Sequence, residues 1–129
     1  MKVHHIGYLV KKMEKAKAEF LQLGYEVEQD TVYDEYRGID ICFISKDGYR
    51  VELVSPVDKE SVVAGMMKKY GNSPYHICYE SYDFDKDMAD LAARKYVQID
   101  EPHAAVAIEG KRVVFMMHPY LGMIELIEM

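Results

Sequence analysis

The sequence predicts an α+β fold made of two βαβββ modules, and three observations carry that prediction. A six-residue motif occurs twice, as His5-Ile6-Gly7-Tyr8-Leu9-Val10 and His76-Ile77-Cys78-Tyr79-Glu80-Ser81, each copy opening with His-Ile, a small residue and Tyr. Apolar residues spaced four and three apart follow each copy: Ala16, Phe20 and Leu23, then Phe84, Met88 and Leu91. That spacing lays one stripe along a helix. Each half then closes on an apolar strand with one acid inside it, Val51-Glu52-Leu53-Val54 and Ile124-Glu125-Leu126-Ile127.

Taken in order, the first motif is a strand and the stripe after it a helix that Gly24-Tyr25 stops, since glycine ends helices well. Three strand patterns follow, Tyr25 to Val32, Ile39 to Ser45 and Arg50 to Val54, with Asp47-Gly48 as a hairpin turn between the last two. The second module repeats the plan. Lys95-Tyr96 stands where Gly24-Tyr25 does, and the strands are Val97 to Ile99, Arg112 to His118 and Met123 to Ile127, with the last turn near Tyr120-Leu121-Gly122. Between the modules, Asp58 or Ser61 caps a short helix with Val62, Met66 and Tyr70 on one face, broken by Gly71-Asn72-Ser73-Pro74. The expected organisation is one domain over residues 1–129: a module at 1–56, a linker helix within 57–73 and a module at 74–129.

Composition narrows the function. Half of the 129 residues are hydrophobic and 29% are charged, an ordinary globular balance. The formal charge of −6 argues against nucleic acid as a partner, and no glycine-rich phosphate loop is present. No apolar run approaches the roughly 20 residues of a spanning helix, so no membrane partner is expected. The start Met1-Lys2-Val3-His4-His5 lacks the apolar core of a secretion signal, and two cysteines make no disulfide scaffold, so a cytoplasmic location with reduced thiols is expected. A small molecule is the expected ligand. The nine Met and eleven Tyr suit adaptable packing and a subunit interface, and a homodimer is expected.

The chemistry concentrates in four residues. His5 and Glu52 lie 47 positions apart (52 − 5) and His76 and Glu125 lie 49 apart (125 − 76), each His on the first strand of a module and each Glu on the last. Strand parity sets His5 on the face of Val3 and Gly7, His76 on the face of Cys78, and each Glu opposite its bulky flanking residues. The helix then packs on the opposite face, and the His-bearing faces carry small residues that leave room for a ligand. If each module curls into half a barrel and an approximate twofold relates the two, the four side chains converge. Two imidazoles and two carboxylates suit a divalent ion of the zinc, nickel, cobalt or manganese type. Without one, two buried carboxylates repel and at least one holds a proton.

These residues resemble the vicinal oxygen chelate superfamily, which includes glyoxalase I, methylmalonyl-CoA epimerase, extradiol dioxygenases and fosfomycin-resistance enzymes. The resemblance spans the chain. It is sharpest at His4-His5-Ile6-Gly7-Tyr8, Tyr75-His76-Ile77-Cys78-Tyr79-Glu80, Arg112-Val113-Val114-Phe115 with His118-Pro119, and Gly122-Met123-Ile124-Glu125-Leu126. It implies paired βαβββ modules whose curved mixed sheets enclose a metal held by His5, Glu52, His76 and Glu125. A four-ligand set implies proton transfer next to a carbonyl, with Glu125 as first choice of base and Glu52 as second. The leading expectation is a lyase or isomerase of the glyoxalase I type, with an acyl-CoA epimerase as the alternative and a non-catalytic binding protein as a third reading. Resembling epimerases carry a further Glu at the place of Tyr36, with Glu35 adjacent here; a glutathione signature is not identifiable either.

Other residues are expected to be structural. His4 points to the helix side, His103 stands in a loop, Cys42 is core and Cys78 is a packing residue beside the site. His118 is a candidate for the pocket mouth, and Lys111 and Arg112 are solvated bases within reach of a ligand phosphate or carboxylate.

Overall fold

The computed structural model describes all 129 residues. Its elements run β1 (Val3–Leu9), α1 (Met13–Gln22), β2 (Glu26–Asp34), β3 (Ile39–Lys46), β4 (Tyr49–Pro56), α2 (Ala64–Tyr70), β5 (Ser73–Ser81), α3 (Phe84–Ala93), β6 (Val97–Gln98), β7 (His103–Ala105), β8 (Lys111–His118) and β9 (Gly122–Glu128). The α+β class is present; the first module reads βαβββ, and the second follows the same plan with one further short strand, β7. The chain forms two compact units, one of residues 5–75 and one of residues 1–4 with 76–129. No helix is long and apolar enough to cross a membrane.

In the unit of residues 5–75 the strands lie in the order β2-β3-β4-β1. β2, β3 and β4 are antiparallel neighbours, while β1 runs parallel to β4 with Gly7 opposite Glu52 and Tyr8 opposite Leu53. A parallel pair needs a long crossover, which α1, β2 and β3 supply. Asp47 and Gly48, at φ 54° and 83°, form the two-residue turn between β3 and β4, the double positive φ of a hairpin whose twist matches its strands. One face of the sheet presents Cys42, Ile44, Val51 and Leu53 to Met13, Ala16 and Phe20, so α1 covers that face.

The other unit repeats the construction. β5 runs parallel to β9, with Cys78 opposite Glu125, and β9 is antiparallel to β8. Val114, Met116, Ile124 and Leu126 face Phe84 and Leu91 of α3. The opposite face buries Cys78, Val113 and Ile127 against Ala105. Here the modules diverge. Where the first has the nine-residue β2, the second has a two-residue β6 followed by β7 on the same edge of β8. His103, expected in a loop, therefore stands on β7, half-buried and opposite Val113. The Met1–His4 segment joins this unit, with the Glu80 amide donating to the Lys2 carbonyl at 2.8 Å.

Both long helices stop in the same way. The Tyr25 amide donates to the Phe20 carbonyl and the Gly24 amide to Leu21; the Tyr96 amide donates to Leu91 and the Lys95 amide to Ala92. This is the paired closure of a Schellman motif, which places the residue after the cap in the left-handed region. Gly24 takes φ 99° there without steric cost, but Lys95 takes φ 75° with a side chain attached.

The linker departs from expectation. α2 begins after Val63 with no side-chain cap, Val62 lies before the helix, and both Val62 and Tyr70 are exposed. The buried residues are Ser61 and Val63. Ser61 serves the turn ahead of the helix: its Oγ accepts from the Val63 amide and donates to the Arg37 carbonyl, each at 3.4 Å. The expected stripe finds no core: the seven-residue helix starts at Ala64, two residues after Val62, and of the three stripe residues only Met66 is half-buried.

Candidate metal and proton-transfer site

Strand register builds one His–Glu pair in each unit. In residues 5–75, Glu52 on β4 lies between Gly7 of β1 and Phe43 of β3, all on one face. His5 stands two residues before Gly7, so it shares that face. Its Nε2 lies 3.5 Å from Glu52 Oε1. The Phe43 ring stands edge-on to the imidazole, 5.3 Å between centroids at 74°.

Residues 76–129 reproduce this arrangement. Glu125 on β9 lies between Cys78 of β5 and Phe115 of β8. His76 Nε2 lies 3.3 Å from Glu125 Oε1, and the Phe115 ring stands edge-on to His76, 5.1 Å between centroids at 87°. The two His–Glu pairs thus match in partner atoms and spacing. All four residues are buried, none more than 7% exposed.

Each pair lies on the face away from its helix, as parity implied. The expectation of small neighbours holds at Gly7 and Cys78. It fails one strand further on, where Phe43 and Phe115 stand directly opposite the acids. Sequence reasoning assigned these two rings no role, although a signal existed. The two-residue turn Asp47-Gly48 makes Phe43 the partner of Glu52, and the turn of residues 119–121 makes Phe115 the partner of Glu125.

A buried carboxylate needs a partner that offsets its lost hydration. Each Glu here has an imidazole at 3.3–3.5 Å. Two ligands bound about 2.1 Å from one ion at angles of roughly 90–110° are themselves about 3.0–3.4 Å apart. The nitrogen–oxygen gaps therefore suit shared coordination, and the donor chemistry fits a divalent metal.

The other expected residues fall away from these pairs. His118 ends β8 on the face of Val114 and Met116, which α3 covers, so it does not line the face of Glu125. Its ring packs against Tyr96 and Tyr120, and its Nδ1 accepts from the Tyr120 amide at 3.1 Å. Arg112 is not a free base. Its Nε and NH2 donate to both oxygens of Glu128, at 3.0 and 2.6 Å, and its guanidinium lies over the Phe84 ring. Glu35 and Tyr36 are exposed on a turn. Asp34 beside them is buried, accepting from the Arg37 amide at 3.1 Å and from its guanidinium at 2.8 Å.

Comparison with known proteins places this geometry. The profile of the glyoxalase/bleomycin resistance protein/dioxygenase superfamily matches residues 4–115. The chain is 29% identical over 120 residues to the mitochondrial methylmalonyl-CoA epimerase of Bos taurus, covering 92% of this chain and 67% of that protein. It is 29% identical over 122 residues to an ethylmalonyl-CoA/methylmalonyl-CoA epimerase of Cereibacter sphaeroides, covering 92% and 88%. The chain spans about two thirds of the length of its mitochondrial relatives. A Streptomyces coelicolor methylmalonyl-CoA epimerase, solved with 2-nitronate-propionyl-CoA, superposes with a TM-score of 0.81 at 26% identity, covering 99% of this chain and 94% of that one. These relatives favour the epimerase alternative over the glyoxalase-type lyase that led the sequence reading.

Proposed function

The chain belongs to the glyoxalase/bleomycin resistance protein/dioxygenase superfamily, and within it we propose a metal-dependent epimerase of 2-methylacyl-CoA thioesters, typified by methylmalonyl-CoA. The observation that carries this reading is the duplicated buried pair, His5 with Glu52 and His76 with Glu125. The epimerase relatives support it. In this proposal the four side chains serve one divalent ion. When bound, such an ion stabilises negative charge developing on a thioester oxygen.

The chain's own residues do the rest. A proton next to a thioester is weakly acidic, and epimerisation removes it from one face of the carbon and returns it to the other. The duplication supplies one carboxylate per module for those two tasks. Glu125 is assigned the removal and Glu52 the return. His5 and His76 hold the carboxylates in place, and Phe43 and Phe115 brace the imidazoles and keep their surroundings apolar. Since Glu35 and Tyr36 are exposed, the proton cycle runs on the two buried acids alone.

The test is turnover in D2O on protein loaded separately with zinc, nickel, cobalt and manganese. A single stereoisomer of methylmalonyl-CoA should lose its α-proton to solvent and invert. Isomerisation of methylglyoxal–thiol adducts with no exchange at the acyl α-carbon would overturn the proposal and restore the lyase reading.

A further inference from the structure

The two modules place different side chains at matching positions beside their acids. In residues 76–129, Phe115 stands opposite Glu125, and two residues along the same strands Met117 stands opposite Met123 on the same face. Val97 of β6 stands opposite Met117. Ile99 lies two residues beyond Val97, its amide donating to the Phe115 carbonyl at 2.9 Å, so it shares that face. These four residues around the acid are all apolar. In residues 5–75 the pair at the same offset from Phe43 and Glu52 is Ser45 with Arg50, and Glu26 of β2 stands opposite Ser45. There Arg50 Nε donates to Glu28 Oε2 at 2.9 Å, so polar and charged groups hold the place.

The apolar version is not buried. Val97 is 65% exposed, Ile99 50% and Met117 40%, and Met123 is half-buried. Single exposed apolar residues are ordinary, but four on one face of adjoining strands form a continuous patch. Helix α3 does not cover it, since α3 packs on the opposite face against Val114, Met116, Ile124 and Leu126. The patch is continuous with the acid. Two residues of strand set the Met117–Met123 pair about 7 Å from the Phe115–Glu125 pair. An alkyl branch on a carbon that yields its proton to Glu125 reaches these methionines once it is longer than a methyl. Their unbranched thioethers adapt to chains of different length.

We propose that Val97, Met117 and Met123 are specificity-determining residues that seat the alkyl branch of a 2-alkylacyl thioester, and that the preferred branch is longer than a methyl group. The assignment rests on the epimerase reading given above and on the role of Glu125 in it. The first module, polar at the matching positions, offers no such seat.

The first measurement is α-proton exchange in D2O, on metal-loaded protein, with racemic methylmalonyl-CoA and its 2-propyl homologue. Each methylene buried on the patch gives about a fourfold gain, so kcat/KM should rise roughly fifteenfold from methyl to propyl. In Val97→Glu/Met117→Ser, which copies Glu26 and Ser45 of the first module, the propyl-to-methyl ratio should fall to about one. The milder Met117→Ala should lower it at least about twofold. The second measurement is calorimetric titration of the same two thioesters, which reads the patch apart from turnover. A ratio at or below one in the parent chain, or an unchanged ratio in both variants, would overturn the patch. An unchanged ratio in a double variant that sediments as a lighter species would give these residues to a contact with a second copy and overturn it too. Tighter binding of the propyl thioester that the double variant abolishes, with no exchange of either α-proton, would support the patch and sink the epimerase reading. Exchange of methylmalonyl-CoA with no branch-length preference in either measurement would do the reverse.

Discussion

The Phe115 ring stands edge-on to the His76 imidazole, 5.1 Å between centroids and 87° between planes. Phe43 bears the same relation to His5 in the first module. An edge-on ring fills the space an imidazole would need to swing through, so each histidine keeps its Nε2 toward the paired glutamate. Phe43→Ala should destabilise the chain by about 3–5 kcal/mol, because this buried ring leaves a cavity. Phe43→Leu and Phe115→Leu should cost less stability while weakening metal affinity by about 10–100-fold, the usual scale for groups that orient ligands. Thermal melts and competitive metal titration separate the two effects; equal metal affinity in both Leu variants would remove the bracing role.

Elemental analysis of the purified chain should find about one divalent ion per chain. A chelator should lower Tm, since a ligand bound only to the folded state stabilises it. His76→Ala and His5→Ala should each lower metal content and Tm together. A metal-free chain that melts normally and cannot be reloaded would end the case for a metal centre.

The two acids are distinguishable from the loop acid by substitution. Glu125→Gln should retain metal and lose at least about a hundredfold in kcat, the scale of a positioned base. Glu35→Gln, on the exposed turn, should stay within about twofold. Full turnover in Glu125→Gln would show that the base lies elsewhere, and a large loss in Glu35→Gln would return the proton cycle to the β2–β3 turn.

Lys95 carries a positive φ that its counterpart Gly24 carries without strain. Lys95→Gly should therefore stabilise the chain by about 1 kcal/mol, and Gly24→Ala should destabilise it by a similar amount. Urea titration measures both; a loss of stability in Lys95→Gly would mean that the side chain contributes more than its backbone costs.

Burial pushes the Cys42 thiol above the ordinary thiol range. The folded state thus disfavours the thiolate. Its contribution to stability is complete below the ordinary thiol pKa and is lost as pH rises toward the raised folded value. Cys42→Ala should flatten this alkaline decline. In the native chain neither Cys42 nor Cys78, both fully buried, should react with a thiol reagent at neutral pH, and both should react after denaturation. Rapid native labelling of Cys42 would contradict the packing described.

The second module shows where sequence reading stops. The spacing of Phe84, Met88 and Leu91 gave α3, and the apolar runs gave β8 and β9, because those signals are local. β7 has three residues and no alternation long enough to read, so His103 passed for a loop residue. Whether His118 lines the pocket mouth depends on the register of β8 with β9, which parity within β8 alone does not set; that register puts it on the helix-covered face in a structural role.

Taken by itself, the sequence determined the two modules and the four polar residues in their apolar strands, because helical spacing, turn chemistry and the cost of burying an acid are written locally. Only the folded chain decided that Phe43 and Phe115 stand against the histidines, that Arg112 is occupied by Glu128, and that an exposed apolar patch flanks Glu125 where the first module is polar. Those relations join residues through hairpin register and the packing of a helix on a sheet, and each depends on turn lengths and closures acting together across a module.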